Sequence, residues 1–138
     1  MNKLSILLCL VLFTLTQCVA QNFVVNCAKK QVGKPYASGA AGPNSFDSSG
    51  LAYFCHNQTI PRTSKAQSTG KGKTISIDNV KPGDLMFWNI NGSSTTTICI
   101  GDGQMIYSPG PGEKVKVKMY KGNTYWEPKF ATAKRYWS

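Results

Sequence analysis

Ser48 is the residue of this 138-residue chain best placed to start acyl-transfer chemistry, in the run Phe46-Asp47-Ser48-Ser49-Gly50. A serine hydroxyl is essentially un-ionised at neutral pH, so it attacks a carbonyl only when a base sits within hydrogen-bond reach. The sole imidazole is His56, eight residues further on and so about 12 Å along a helix axis, where proton transfer needs about 3 Å. A serine–lysine dyad with Lys34 or Lys65 is the remaining formal alternative, and nothing in their spacing favours it. One histidine and the absence of any Cys-x-x-Cys pair argue against a zinc site. No metal or cofactor is expected.

The elements around Ser48 are readable from apolar spacing. Phe23, Cys27 and Gln31, with Val24, Val25, Ala28 and Val32 beside them, predict a helix closed by Gly33-Lys34-Pro35. Residues 38–45 are loop, and Ser48 or Ser49 is expected to cap a second helix through Leu51, Tyr53, Phe54 and Cys55. Asp47 is the other candidate for that cap. Residues 63–72 read as connecting loop or a poorly formed helix. From Lys73 the period shortens: Leu85–Trp88, Ile98–Ile100 and Gln104–Tyr107 are short strands. Asn89–Thr97 is expected to be the turn between the first two, built on Asn91-Gly92. Val115, Val117 and Met119 alternate with lysines as in a half-buried strand. Two helices followed by antiparallel strands make an α+β architecture.

The chain opens with Met1-Asn2-Lys3, an apolar run from Leu4 to Leu15, and small residues at Cys18-Val19-Ala20. That is the pattern of a secretory signal peptide over residues 1–20, leaving one domain over 21–138 and a secreted product. The apolar run alone falls short of the roughly 20 residues that span a bilayer, so no transmembrane segment is expected. The formal charge of +10 becomes about +9 without Lys3, which favours anionic partners outside the cell over any specific nucleic acid. A monomer is expected. Of the cysteines outside the leader, Cys27 and Cys55 are the candidate disulfide, on two helices able to pack together, and Cys99 is a buried small hydrophobe in a strand. Asn57 and Asn91 head glycosylation sequons.

Five stretches in order resemble the NlpC-type cell-wall endopeptidases, a papain-like group of cysteine peptidases. They are AKKQVGKPYASGAAGPNSFDSSGLAYF, IPRTSKAQ, VKPGDLMFW, ICIGDGQMIYSP and YWEPKFATAKRY, which follow one another in order from about residue 24 to the end of the chain. The resemblance implies a papain-like α+β fold, with N-terminal helices packed on a central antiparallel sheet or half-barrel. It also implies peptide stems of bacterial peptidoglycan as substrate, cleaved by an elbow cysteine at the start of the second helix. Helix-terminal positive charge and a neighbouring histidine favour the thiolate there.

Carried across residue by residue, the family's cysteine falls on Ser48, its base histidine on Thr95 and its third polar residue on Tyr107. None of the three can repeat the mechanism. Tyr36 matches a groove-lining position, Asp47 and Ser49 flank the elbow, and Arg62 could offer a fork to a carboxylate. These four are the candidate substrate-binding residues, with packing, capping and solvation as their ordinary alternatives. The resulting expectation is a secreted, catalytically degenerate homologue that binds peptidoglycan stem peptides or another anionic surface. An active hydrolase using Ser48 with an unplaced base, and a basic defence or toxin-like protein, are the alternatives.

Overall fold

The computed structural model describes residues 2–137. Neither glycine nor proline occurs before Gly33, so nothing interrupts helix formation. Helix α1 accordingly runs Lys3–Gln31, capped by Asn2, whose side chain accepts from the Ser5 amide at 2.8 Å. Gly33, at φ +93°, turns the chain away. Two expectations change here. The helix expected from Phe23 starts twenty residues earlier. The apolar run judged too short to cross a bilayer belongs to a 29-residue helix that is long and apolar enough to do so by length and composition, with none of its most apolar window buried. A signal sequence passes the same test. Only the last turns of α1 dock: Val24, Val25, Ala28 and Gln31 are buried, whereas Phe23 and Val32 remain exposed.

Helix α2 spans Ser48–Cys55 and α3 spans Ser64–Thr69, the latter capped by Thr63 and more regular than a connecting loop. The cap of α2 is Asp47 rather than either serine, because its carboxylate accepts from the Gly50 amide at 2.6 Å while Ser48 is already the first helical residue. The Cys27–Cys55 disulfide ties α1 to α2 with 5.5 Å between α-carbons, and Cys99 is free and buried, both as expected.

Six antiparallel strands follow: β1 (Lys73–Ile75), β2 (Leu85–Ile90), β3 (Ser93–Gly101), β4 (Gln104–Tyr107), β5 (Lys116–Met119) and β6 (Phe130–Arg135), in the spatial order β1-β6-β2-β3-β4-β5. The turn between β2 and β3 is tighter than expected. Ile90 pairs with Ser93, and Thr95, Thr96 and Thr97 pair with Trp88, Phe87 and Met86. These β-branched threonines are strand residues, not turn.

Alternation gives the sheet two apolar faces. Leu85, Phe87, Ile98 and Ile106 pack under α1 and α2 with Phe46, Leu51 and Ala52. Met86, Trp88, Cys99, Met105 and Tyr107 face the other way, closed over by Trp126. The C-terminal strand is fastened by Asp84, fully buried, which accepts from both arms of the Arg135 fork and from the Trp137 indole, each at 2.8 Å. On β5 the expected half-burial fails: Val115 is buried just before the strand, but Val117 and Met119 are exposed on this edge strand.

Candidate functional site

The start of α2 is where the loop, both short helices and β3 converge. Phe46 bridges to Tyr36 and Ala41, and the Asp47 amide donates to the Ala40 carbonyl at 2.8 Å, so the loop lies against the first turn of the helix. Gly50 permits that approach, since a Cβ there would run into the Ala40 carbonyl oxygen. Asp47 accepts from the amides of Gly50 and Gly39 and from Ser49 Oγ. Arg62 meets it two-pronged, at 3.1 and 2.9 Å, and reaches Ser49 Oγ at 3.0 Å. Asp47, Ser49 and Arg62 are thus together, but they satisfy one another. The Arg62 fork expected to hold a ligand's carboxylate holds Asp47 instead, because the helix cap brings that carboxylate to it. Tyr36 is half-buried, and its hydroxyl has no hydrogen-bond partner among the described residues; its amide donates to the Glu113 carbonyl.

Ser48 Oγ has one polar neighbour among the described residues, Ser64 Oγ at 3.5 Å. Behind Ser64 stands Thr96, with its hydroxyl 2.8 Å from Ser64 Oγ and 2.9 Å from Gln67 Oε1. Thr96 has a single hydroxyl proton. If it donates to Gln67, Ser64 donates to Thr96. Gln67, fully buried, donates its own amide to the carbonyls of Ser49 and Pro61. Every side chain in this chain of contacts is a hydroxyl or a neutral amide, so none can take a proton from Ser48 at neutral pH.

The groups that could have done so are elsewhere. His56 lies at the other end of α2, buried, with Nδ1 donating to the Ala52 carbonyl at 2.8 Å and Nε2 buried without a partner among the described residues. Burial lowers its pKa, only partly opposed by that hydrogen bond. It sits at the helix end and in the interior. Lys34 donates to Gln31 Oε1 and to the Pro43 carbonyl, and Lys65 is exposed on α3. The Cys99 thiol is buried on the far face of the sheet, and burial pushes its pKa up.

Thr95 and Tyr107 are brought together, but in a hollow of about 300 Å³ against Trp126 whose lining does not include Ser48. On β3 the hydroxyl that reaches the Ser48–Ser64 pair belongs to Thr96, whose side alternates with that of Thr95. Ser64, Gln67 and Thr96 were not singled out in the sequence. The spacing Thr63-x-x-Ala66-Gln67 after a proline marks a helix start, but nothing local pairs it with β3. The sequons at Asn57 and Asn91 are both on exposed turns.

Comparison with known proteins gives a consistent result. The family model described as NlpC/P60 family matches residues 33–135. The chain is 36% identical to Protein P54 of Enterococcus faecium over 121 residues, covering 80% of this chain and 22% of P54. It is 32% identical to the probable endopeptidase YafL of Escherichia coli over 116 residues, 78% of this chain and 46% of YafL. Among solved structures, the NlpC/p60 domain of the peptidoglycan hydrolase SagA superposes with TM-score 0.71 at 31% identity, over 84% of this chain and 98% of that domain. The chain therefore spans less than half the length of those two curated relatives, and nearly the whole of a solved NlpC/p60 domain. It folds as a papain-like mixture of helices and antiparallel sheet, and it belongs to the NlpC/P60 family.

Proposed function

We propose that this protein is an exported, catalytically degenerate NlpC/P60 domain that binds peptide stems of the bacterial cell wall without cleaving them. One observation carries the reading: at the head of α2, where the family's chemistry would start, Ser48 has Ser64 as its one hydrogen-bond partner among the described residues, with Thr96 and Gln67 behind it and no base in that chain of contacts. An alcohol in a ring of alcohols forms hydrogen bonds but stays protonated. The loop, cap and ion pair around Ser48 are nonetheless all in place. Membership of a family whose solved members include a peptidoglycan hydrolase supports peptidoglycan peptides as the ligand class. The net positive charge supports an anionic partner, and the apolar start of α1 supports export.

The test is to incubate the full chain with purified muropeptides and follow both products and binding. Saturable binding with unchanged muropeptides is expected. New fragments would overturn the loss of catalysis, and absence of binding would remove the ligand. The naming of relatives as endopeptidases favours a second reading, hydrolysis through Ser48; under it, turnover must vanish in Ser48→Ala.

A further inference from the structure

The Asn57-Gln58-Thr59 sequon follows α2 directly, and the fold sets it at the edge of an apolar hollow. The Asn57 amide donates to the Phe54 carbonyl at 3.1 Å and the Gln58 amide to the Tyr53 carbonyl at 2.9 Å. Asn57 and Gln58 are both at positive φ, 52° and 61°, the left-handed turn that closes a helix. The turn brings Asn57 back beside Phe54, three residues earlier. Both line a hollow of about 300 Å³ together with Phe23, Cys27 and Gln58. All three sequon residues are exposed.

The walls of this hollow are fixed. Phe23 precedes Cys27 by one turn of α1, Phe54 adjoins Cys55 on α2, and the Cys27–Cys55 disulfide locks the two helices together. The Phe54 ring is further held edge-on by Phe46, with centroids 5.3 Å apart. In residues 21–138, Phe23 and Tyr125 are the aromatic side chains left more than half exposed. Tyr125 carries the Lys129 ammonium over its ring, whereas Phe23 has neither ring nor cation against it among the described residues. Covering such a ring removes apolar surface from water and is favourable. A neighbouring hollow of about 360 Å³ shares Phe23, Cys27 and Phe54 and continues along α1 to Asn26 and Lys30. The other sequon has no comparable seat: Asn91 is at the tip of the β2–β3 turn, where a side chain at the adjacent Gly92 would meet open space.

We infer that Asn57 is glycosylated and that the first sugar of its glycan, an N-acetylhexosamine, occupies this hollow with its apolar C–H face against Phe54 and Phe23. In the transfer, Asn57 Nδ2 forms a bond to the sugar's C1. The bond from C1 to the pyrophosphate of a lipid-linked oligosaccharide donor breaks, and the amide proton leaves with the lipid pyrophosphate. The step belongs to export, before the turn closes, because Thr59 Oγ1 in the folded chain is engaged with the His56 carbonyl at 2.6 Å. A volume of about 300 Å³ sits at the bottom of the range for small-ligand sites and admits one sugar ring, the rest of the glycan lying outside. Asn57 follows the C-terminal end of α2 and Ser48 begins it, so the glycan stands at the other end of the helix from the groove. The inference rests on the export proposed above and on no claim about what Ser48 binds.

The experiment expresses the full chain with its leader in a secreting yeast, beside Asn57→Gln. Peptide mass spectrometry of the medium is expected to find a glycan on Asn57. Endoglycosidase H then trims it to a single N-acetylglucosamine, and urea unfolding compares that form with Asn57→Gln. The one sugar is expected to shift the folding equilibrium about fivefold toward the folded state, the scale of one specific ring contact. Phe23→Ser, at an exposed position, is expected to abolish that difference when glycosylated and unglycosylated forms of the same variant are compared, so that its own effect on stability cancels. Asn91→Gln is expected to leave the difference unchanged. Secretion with Asn57 bare would overturn the modification alone, and retention in the cytosol would overturn the export and the modification together. An occupied Asn57 whose sugar adds no stability, or adds as much in Phe23→Ser, would overturn the seat in the hollow.

Discussion

Asp47 separates scaffold from recognition, because its two roles predict opposite outcomes. Its carboxylate caps α2 through Gly50, accepts from the Gly39 amide and holds the Arg62 fork. Replacing it with alanine removes the cap, worth about 1 kcal/mol. It also breaks a two-pronged ion pair whose side chains are 33% and 18% exposed. Exposed pairs contribute about 0–1 kcal/mol, and breaking a fully buried one costs about 3–5. For this intermediate case about 1–2 kcal/mol is the reasonable value between those limits. The Gly39 amide is exposed and water can replace its bond. Asp47→Ala should therefore lose about 2–3 kcal/mol in all. Asp47→Asn, which retains a cap, should lose about 1, and Arg62→Ala about 1–2. The Asp47→Ala/Arg62→Ala double variant should fall short of the sum by about 1–2 kcal/mol, because the pair can be broken only once. Urea unfolding of the oxidised protein measures all four at constant m-value. A loss below about 0.5 kcal/mol for Asp47→Ala, together with weakened muropeptide binding, would refute the structural role and return Asp47 to the ligand.

Three further outcomes follow from the same structure. Folded His56 has a lowered pKa and is buried neutral, so the unfolded chain binds the extra proton first as pH falls. Stability should be flat above about pH 6.5 and decline below it, by up to about 1.4 kcal/mol per pH unit; an equal slope in His56→Phe would contradict this. The Cys27–Cys55 bridge closes a 28-residue separation, and its loss in Cys27→Ser/Cys55→Ser should cost about 3–4 kcal/mol by chain entropy, a loss under about 1 being contrary. Ser48→Cys/Thr95→His/Tyr107→His together should stay inactive on muropeptides, because positions 95 and 107 line a hollow that does not include Ser48 and it is Thr96 that reaches the Ser48–Ser64 pair. Cleavage by the folded triple variant would show that the three positions do meet.

Much of the fold was legible because its periods are local. The apolar spacing of Val24, Val25 and Ala28, the alternation in β2 to β4, the Asn91-Gly92 turn and the Cys27–Cys55 pairing all depend on neighbours in sequence or on adjacent helices. Errors arose where one local signal had two readings. Threonines 95–97 looked like polar turn, yet their branched Cβ atoms and the buried bonds of Thr96 and Thr97 make them strand. Ser48 and Ser49 looked like caps, but the longer reach of Asp47 serves Gly50 and Arg62 at once. Alternation alone could not show that Val117 and Met119 lie on an edge strand. Asp47, Ser49 and Arg62 were picked out from the sequence and stand together at the head of α2, but nothing local showed what faces Ser48. Its partners Ser64 and Thr96 lie 16 and 48 residues away in the chain, and only tertiary packing brings them to it.

The account turns on whether anything draws the proton from Ser48, and a serine-reactive fluorophosphonate reads that directly. Peptide mass spectrometry of the folded chain after prolonged exposure should find Ser48 unmodified at every pH from 6 to 9, indistinguishable from Ser64. A stoichiometric adduct on Ser48 that disappears on unfolding would mean that the fold does supply a base there, and that this domain is an enzyme.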